Sequence, residues 1–326
     1  MNQRVMLTID IEAHRSLDEW DRAHSGSVWK LFDRLRGRAP ATCFLDVGSA
    51  ATWGEGMLRE IAQQARSDGH ELGLHLHPHH YADQARWWLS QYSLDEQRVL
   101  LDRAANDFIR ITGEPPRSFR AGGFGVDDNT IAALKQLGIS TDLSFAFGQA
   151  GCHISPSSRM VRGHVAGLVE VPLPTVATIT WGRTVRRRTT LDFNWLPADE
   201  LVRAITHYGS DGGAVPVLLH SSSLSRRIGN RMHHQPALEE RLERLLASFP
   251  QDSFITLARS LNSMEAPAEV PEYRIAGGFR QLRVLYLQAL YGRGFSRRFA
   301  GLIWVTAGGI VVLTCLLVIA LVVLFA

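Results

Sequence analysis

Short β-branched and aliphatic runs alternate along this chain with stretches whose apolar residues recur every three or four positions. The runs Val5–Ile9, Thr42–Val47, Leu72–His75, Ser118–Arg120, Ser140–Asp142, Val169–Pro172, Val215–Leu219 and Phe254–Leu257 read as strands. Amphipathic patterns near Val28–Arg36, Met57–Ser67, Leu94–Thr112, Asp128–Leu137, Ala198–His207 and Pro236–Ser248 read as helices, several followed by a glycine, as at Gly69, Gly113 and Gly138. Strand and helix in alternation predict a parallel α/β architecture.

The pattern changes near residue 264. Met264 to about Gly277 reads as a linker with Pro267 and Pro271. Phe279, Leu282, Leu285, Tyr286, Ala289 and Leu290 then recur at helical spacing with Arg280 and Arg283 between them. That pattern suits either a helix in a lipid headgroup region or one packed on the preceding domain. From Leu302 to Ala326 no residue is charged. As a helix this segment spans roughly 37 Å, enough to cross a hydrocarbon core of about 30 Å. The expected organisation is a catalytic-type domain over 1–263, a linker and basic amphipathic segment over 264–300, and a transmembrane helix over 301–326.

Charge adds one inference and removes another. A net charge of +3 over 326 residues gives no reason to expect a nucleic-acid partner. The basic residues are uneven, however. Arg186, Arg187 and Arg188 form one run, in what reads as a loop, suited to a phosphate or anionic headgroups. Arg293, Arg297 and Arg298 precede the terminal apolar segment and place the large domain on the cytoplasmic side of a membrane; the N-terminus shows no stretch of signal-peptide type. Cys43, Cys152 and Cys315 are far apart and form no zinc or disulfide framework.

The segment Gly69–His80, Gly-His-Glu-Leu-Gly-Leu-His-Leu-His-Pro-His-His, concentrates the chemistry. Imidazole is the commonest protein metal ligand. His75 and His79 suit one face of a turn, whereas His75 and His77 suit one face of a strand, and either pair could hold a divalent ion. Other reactive residues end predicted strands. Asp10 and Glu12 share a face by the two-residue period. Arg120, Asp142 and His220 close later strands, where a parallel α/β barrel gathers its site. Two histidines and a carboxylate leave coordination positions open, a second carboxylate can take a proton from water, and a histidine can protonate a leaving amine. An arginine can orient the base by a two-pronged hydrogen bond.

In this order the segments resemble the NodB-type polysaccharide deacetylase family. Thr8-Ile9-Asp10 is similar to its first motif, His75 through His79 to its metal-binding second, Arg120 through Gly125 to its third, and Leu218-Leu219-His220 to its fifth; Ala41–Gly48 resembles its second strand. The resemblance covers about Arg4 to Leu261. It implies a distorted, incomplete (β/α) barrel that removes an N-linked acyl group from a sugar with a divalent metal, Zn²⁺ first, Co²⁺ or Ni²⁺ as alternatives. It implies Asp10 as general base, His75 and His79 as metal ligands, Arg120 as orienting residue, His220 as general acid and Leu218 as part of an acyl pocket. Phe124, Trp181 and Trp195 are candidate sugar contacts.

The chain also departs from the family. Ile11 stands where a second aspartate is usual, so the ligand role passes to Glu12 on the face of Asp10. Leu76 replaces a Ser or Thr, and Ala121-Gly122-Gly123 replaces a Pro-containing link. His77 could replace His79, and either Asp142 or Asp192 fills the fourth motif. With the apolar terminus, the resemblance leads to an aminosugar carried on polyprenyl phosphate, deacetylated or deformylated at the cytoplasmic membrane face. The competing readings are a catalytically silent binder of such sugars and a non-sugar amide hydrolase of the same fold.

Overall fold

In the computed structural model, residues 3–13, 26–154, 163–165, 168–181, 184–210, 212–228, 231–261 and 272–291 are described. The first strand, β1 (Arg4–Ile11), is followed by α1 (Gly26–Leu35), β2 (Ala41–Asp46), a short α2 (Ala50–Trp53), α3 (Glu55–Ser67), β3 (Glu71–Leu76) and α4 (Leu94–Thr112). Then come β4 (Ser118–Ala121), α5 (Asp128–Gln136), β5 (Thr141–Asp142), β6 (Gly163–Val165), β7 (Leu168–Glu170), and a hairpin of β8 (Thr175–Trp181) and β9 (Thr184–Thr190). The rest is α6 (Ala198–Tyr208), β10 (Ala214–His220), β11 (Ser225–Ile228), β12 (Arg231–His234), α7 (Pro236–Ala247), α8 (Leu257–Leu261), β13 (Tyr273–Arg274) and α9 (Gly278–Tyr291).

The main sheet runs β10-β1-β2-β3-β4-β5-β7-β6. Every pairing in it is parallel except the antiparallel edge pair β6–β7. Its two faces differ because side chains alternate along each strand. Val5, Leu7, Ile9 and Ile11 of β1, Cys43 and Leu45 of β2, and Leu74 and Leu76 of β3 point into one large core with the helices. Met6 and Phe44 point the other way, into a smaller cluster with Leu143, Val171, Ala214, Ile255 and Leu257. The second face is the floor beneath the strand-end residues Asp10, His75 and Arg120. This curled open sheet of parallel strands is the incomplete (β/α) barrel expected from the sequence.

Local signals set the helices. In α4, Ser93 Oγ accepts from Glu96 N at 3.4 Å and Glu96 accepts from Ser93 N at 2.8 Å, a reciprocal cap. Gly113, at φ 82°, ends that helix in the left-handed conformation a side chain would strain.

Two expectations change, and one open alternative is decided. Phe254–Leu257 is not a strand: Phe254 makes one bridge to Val5, and Leu257 opens α8. The arginine run lies inside β9, paired to β8, not in a loop. There Arg188 is pinned to Glu272, at 2.5 Å. The segment 278–291 packs on the domain. Arg280 bonds the buried carboxylate of Glu200 at 2.5 and 2.6 Å, Gln281 reaches Thr180, and Val284 is buried. Residues 264–271 of the expected linker and the whole apolar segment 302–326 lie outside the described residues. Among those described, no helix is long and apolar enough to cross a membrane.

Candidate active site and metal centre

Alternation delivers one set of side chains to the C-terminal rim of the concave face. Asp10 comes from β1, Asp46 from β2, His75 from β3, Arg120 from β4 and His220 from β10. The register places Asp46 opposite His75, His75 opposite Arg120, and Asp10 opposite His220. Glu12 and His77 lie just beyond their strands, two residues after Asp10 and His75. Ile11 between them is fully buried in the helix-side core.

Arg120 is fully buried, and its Nη1 donates to Asp10 Oδ1 at 2.6 Å. The guanidinium lies 4.3 Å above the Phe44 ring, a cation–π seat. Gly73 leaves room for that ring, since a Cβ there would stand 2.7 Å from it. The expected two-pronged contact is therefore single: Arg120 Nε and Nη2 have no hydrogen-bond acceptor among the described residues.

His75 Nδ1 lies 2.9 Å from the Arg120 carbonyl oxygen, which can only accept. Nδ1 therefore carries a proton, and Nε2 is the ring nitrogen that faces the rim. His77 Nε2 is 3.2 Å from His75 Nε2 and 2.7 Å from Glu12 Oε2, and His75 Nε2 is 3.6 Å from the same oxygen. All three donor atoms fall within 4.8 Å of one another. Two imidazole nitrogens and a carboxylate oxygen converging this closely are a donor set that fits a divalent cation such as zinc. The charges are mutually set. Burial pushes Glu12 up, but hydrogen bonds from His75 and His77, with the charge of His77 and His220, overcome it and hold Glu12 well below the carboxylate range. Burial depresses His75, yet Asp10, Glu12 and Asp46 raise it to about 9.

On the opposite side, the His220 backbone N–H donates to Ser223 Oγ at 2.8 Å, and Ser223 donates to Asn194 at 2.6 Å. Asn194 N in turn donates to Asp192 Oδ1 at 2.7 Å. Asp192 bridges to Leu218 at the free edge of β10. Burial pushes it up to about 6 against the opposing influence of His220. Trp195 is half-buried beside this group, and its backbone N–H donates to the Asp192 carbonyl at 3.2 Å.

Other expected residues are placed apart from this group. His79 is not among the converging donors. The strand ends at Leu76 and Pro78 starts a tight turn, which sets the His79 ring against His80 (4.3 Å), Trp87 (5.1 Å) and the His77 ring (5.2 Å). Asp142 pairs in register with Phe119, not Arg120, so alternation puts it on the helix side of the sheet. There it accepts from Ser144 and faces Glu170. Leu218 forms an apolar cluster with Ala146 and Leu173, against which Phe124 packs. Phe124 has φ 57°, the one positive φ of a non-glycine residue among those described. Trp181 ends β8, and its side chain lies outside the described residues. Two further residues complete the rim without having been singled out: Asp46, fully buried, and His80, whose Nε2 is 3.1 Å from Asp46 Oδ2. The available signal was the strand-end position of Asp46, the same one that marked Asp10.

Residues 2–141 match the polysaccharide deacetylase family. Among solved structures, the chain is similar to a putative polysaccharide deacetylase from Mycobacterium smegmatis, at 16% identity and a TM-score of 0.48, covering 83% of this chain and 96% of that one. It is also similar to a family 4 carbohydrate esterase from Streptomyces lividans in complex with acetate (14%, 0.45, 83% and 99%). A family 4 pseudoenzyme from Bacillus anthracis is a third (13%, 0.44, 84% and 70%).

Proposed function

We propose, from the match of residues 2–141 to the polysaccharide deacetylases, hydrolases of N-acetyl amide bonds, that the protein is a divalent-metal-dependent deacylase of an N-acylated aminosugar. The observation that carries this reading is the convergence of Glu12, His75 and His77 within 4.8 Å, on the rim that also holds the Arg120-bound Asp10. Glu12, His75 and His77 would hold the ion. When bound, a divalent ion there polarises the amide carbonyl and acidifies a water.

The chain's own residues supply the rest. Asp10 takes the proton from the attacking water, and Arg120 fixes the oxygen that does so. His220, the register partner of Asp10, protonates the nitrogen as the C–N bond breaks. Asp192, buried behind it, stabilises the imidazolium that His220 carries before that transfer. The apolar cluster of Leu173 and Leu218, with Phe124 packed against it, would face the acyl group. Zinc suits the two-histidine, one-carboxylate set, with cobalt or nickel as functional substitutes.

The membrane reading rests on residues 302–326, which carry no charge, and on Arg293, Arg297 and Arg298 before them. A domain held at the cytoplasmic face would meet a lipid-linked aminosugar on the inner leaflet.

The test joins metal content to acyl release. The full chain is loaded with Zn²⁺, Co²⁺ or Ni²⁺ and assayed for acetate or formate release from N-acylated aminosugars, free and polyprenyl-phosphate-linked. One equivalent of metal is expected. Activity should fall about 10²–10⁴-fold in Asp10→Asn, which loses only the base, and in His75→Ala, which also loses metal. Stoichiometric metal with no release from any sugar would favour the silent sugar-binding reading.

A further inference from the structure

We infer that Asp46, through Ser49 and His80, is a positioning residue that brackets the metal-ligand carriers Glu12 and His77 from behind; the inference rests on the metal-centre reading above. Glu12 and His77 share a difficulty. β1 ends at Ile11 and β3 at Leu76, so both ligands sit past the last ladder bonds of their strands. Something other than the sheet must hold them.

On its β10 side, Glu12 is held by Ser221, which accepts from Glu12 N at 3.3 Å and donates to Glu12 O at 2.9 Å. On the other side the holder is Asp46, at the end of the strand between the two ligand-bearing ones. Asp46 Oδ2 accepts from Ser49 Oγ at 2.8 Å, and Ser49 Oγ accepts from Ala13 N at 2.8 Å, directly after Glu12. The same Oδ2 meets His80 Nε2 at 3.1 Å. The His80 N–H closes the turn onto the His77 carbonyl at 3.1 Å. One carboxylate oxygen therefore ties the segment after Glu12 to the turn after His77.

Capping the turn at Val47 needs only Oδ1, which accepts from Gly48 N at 3.2 Å. The two contacts at Oδ2 go beyond that local task. The His80 ring also lies flat on Gly48: a Cβ there would stand 2.6 Å from the His80 Cβ and Cγ. Asp46 is fully buried and His80 nearly so, so neither is exchanged for water at low cost. Outer partners that orient ligands typically change metal affinity about 10–100-fold.

The experiment measures Zn²⁺ affinity of the full chain by chelator competition, beside the thermal midpoint of the metal-free protein. The variants are Asp46→Ala, His80→Ala, His80→Gln and the milder Ser49→Ala, with Leu242→Ala as a destabilised core control. Asp46→Ala and His80→Ala should weaken Zn²⁺ at least tenfold. His80→Gln, which keeps a donor near the Nε2 position, should recover most of that loss, and Ser49→Ala should lose a few-fold while folding normally. Leu242→Ala should lose thermal stability and keep wild-type affinity. Wild-type affinity in Asp46→Ala, His80→Ala and Ser49→Ala would overturn the bracket alone, as would an equal loss in Leu242→Ala. A wild-type chain that takes up no Zn²⁺ would overturn the metal-centre reading and the bracket with it.

Discussion

Ile11 shows at the scale of one residue how this chain departs from the motif it resembles while a carboxylate still reaches the rim. The carboxylate moves one position along, to Glu12, and alternation then returns it to the face of Asp10. Ile11 itself is fully buried against the helices. Restoring the usual pattern by Ile11→Asp should therefore add no ligand. It would place an uncompensated carboxylate in an apolar core, a change expected to cost about 3 kcal/mol or more. Chemical denaturation should record that loss, and Zn²⁺ titration of the variant that still folds should show unchanged or weaker binding. A tighter-binding, stable Ile11→Asp protein would contradict the assignment of faces. No comparable periodicity distinguishes His77 from His79. Both spacings are legitimate, and the choice depends on where the strand stops, which Pro78 determines by starting a turn.

At the scale of elements, the ligand turn after β3 leans on the glycine-rich link after β4. A Cβ on Gly122 would run into the His77 ring, within the radius of any real contact. Ala121-Gly122-Gly123, legible in the sequence only as a departure from a Pro-containing link, is thus the surface that lets His77 reach Glu12. Gly122→Ala should displace His77 and weaken Zn²⁺ binding by about tenfold, the range seen for ligand-orienting partners. Isothermal titration on the variant would check this, with circular dichroism to confirm an unchanged fold. Equal affinity would mean that the turn yields freely. The helix α9 was legible as amphipathic, but not where its apolar face goes. Val284 is buried against the domain, and Arg280, one turn before it, bonds the buried carboxylate of Glu200 on α6, far away in sequence.

For the whole molecule, the feature to test is a buried acid pair on the helix side of the sheet. Burial raises both Asp142, to about 6, and Glu170, further still, where its neighbour's charge adds to the effect. The folded protein therefore retains a proton on the pair at a pH where the unfolded chain has released it. Stability must then fall as pH rises above the ordinary carboxylate range of about 4, through about 6 and beyond. Glu170→Gln keeps the acceptor for the Phe145 N–H and can donate to Asp142, so it removes this dependence. Urea denaturation between about pH 5 and 8 should show a declining midpoint for wild type and a flatter one for Glu170→Gln. Parallel curves would show that the pair carries no extra proton.

By itself the sequence determined the strand–helix alternation, nearly every element of the parallel sheet, and several of the residues at its rim, Asp10, His75, Arg120 and His220 among them, because these depend on local periodicity and on strand ends. It also exposed the loss of the second aspartate and the charge-free terminal segment. Only the tertiary structure decided which of those residues meet. Register set Asp142 beside Phe119 and turned it away from Arg120, a single step of alternation that no composition records. The end of β3 selected His77 over His79. Asp46 and His80 became a pair through neighbouring strands, and the arginine run became part of a hairpin. Each of these outcomes depends on contacts between segments distant in the chain, where the deciding quantity is the relative position of two strands and not the residues of either.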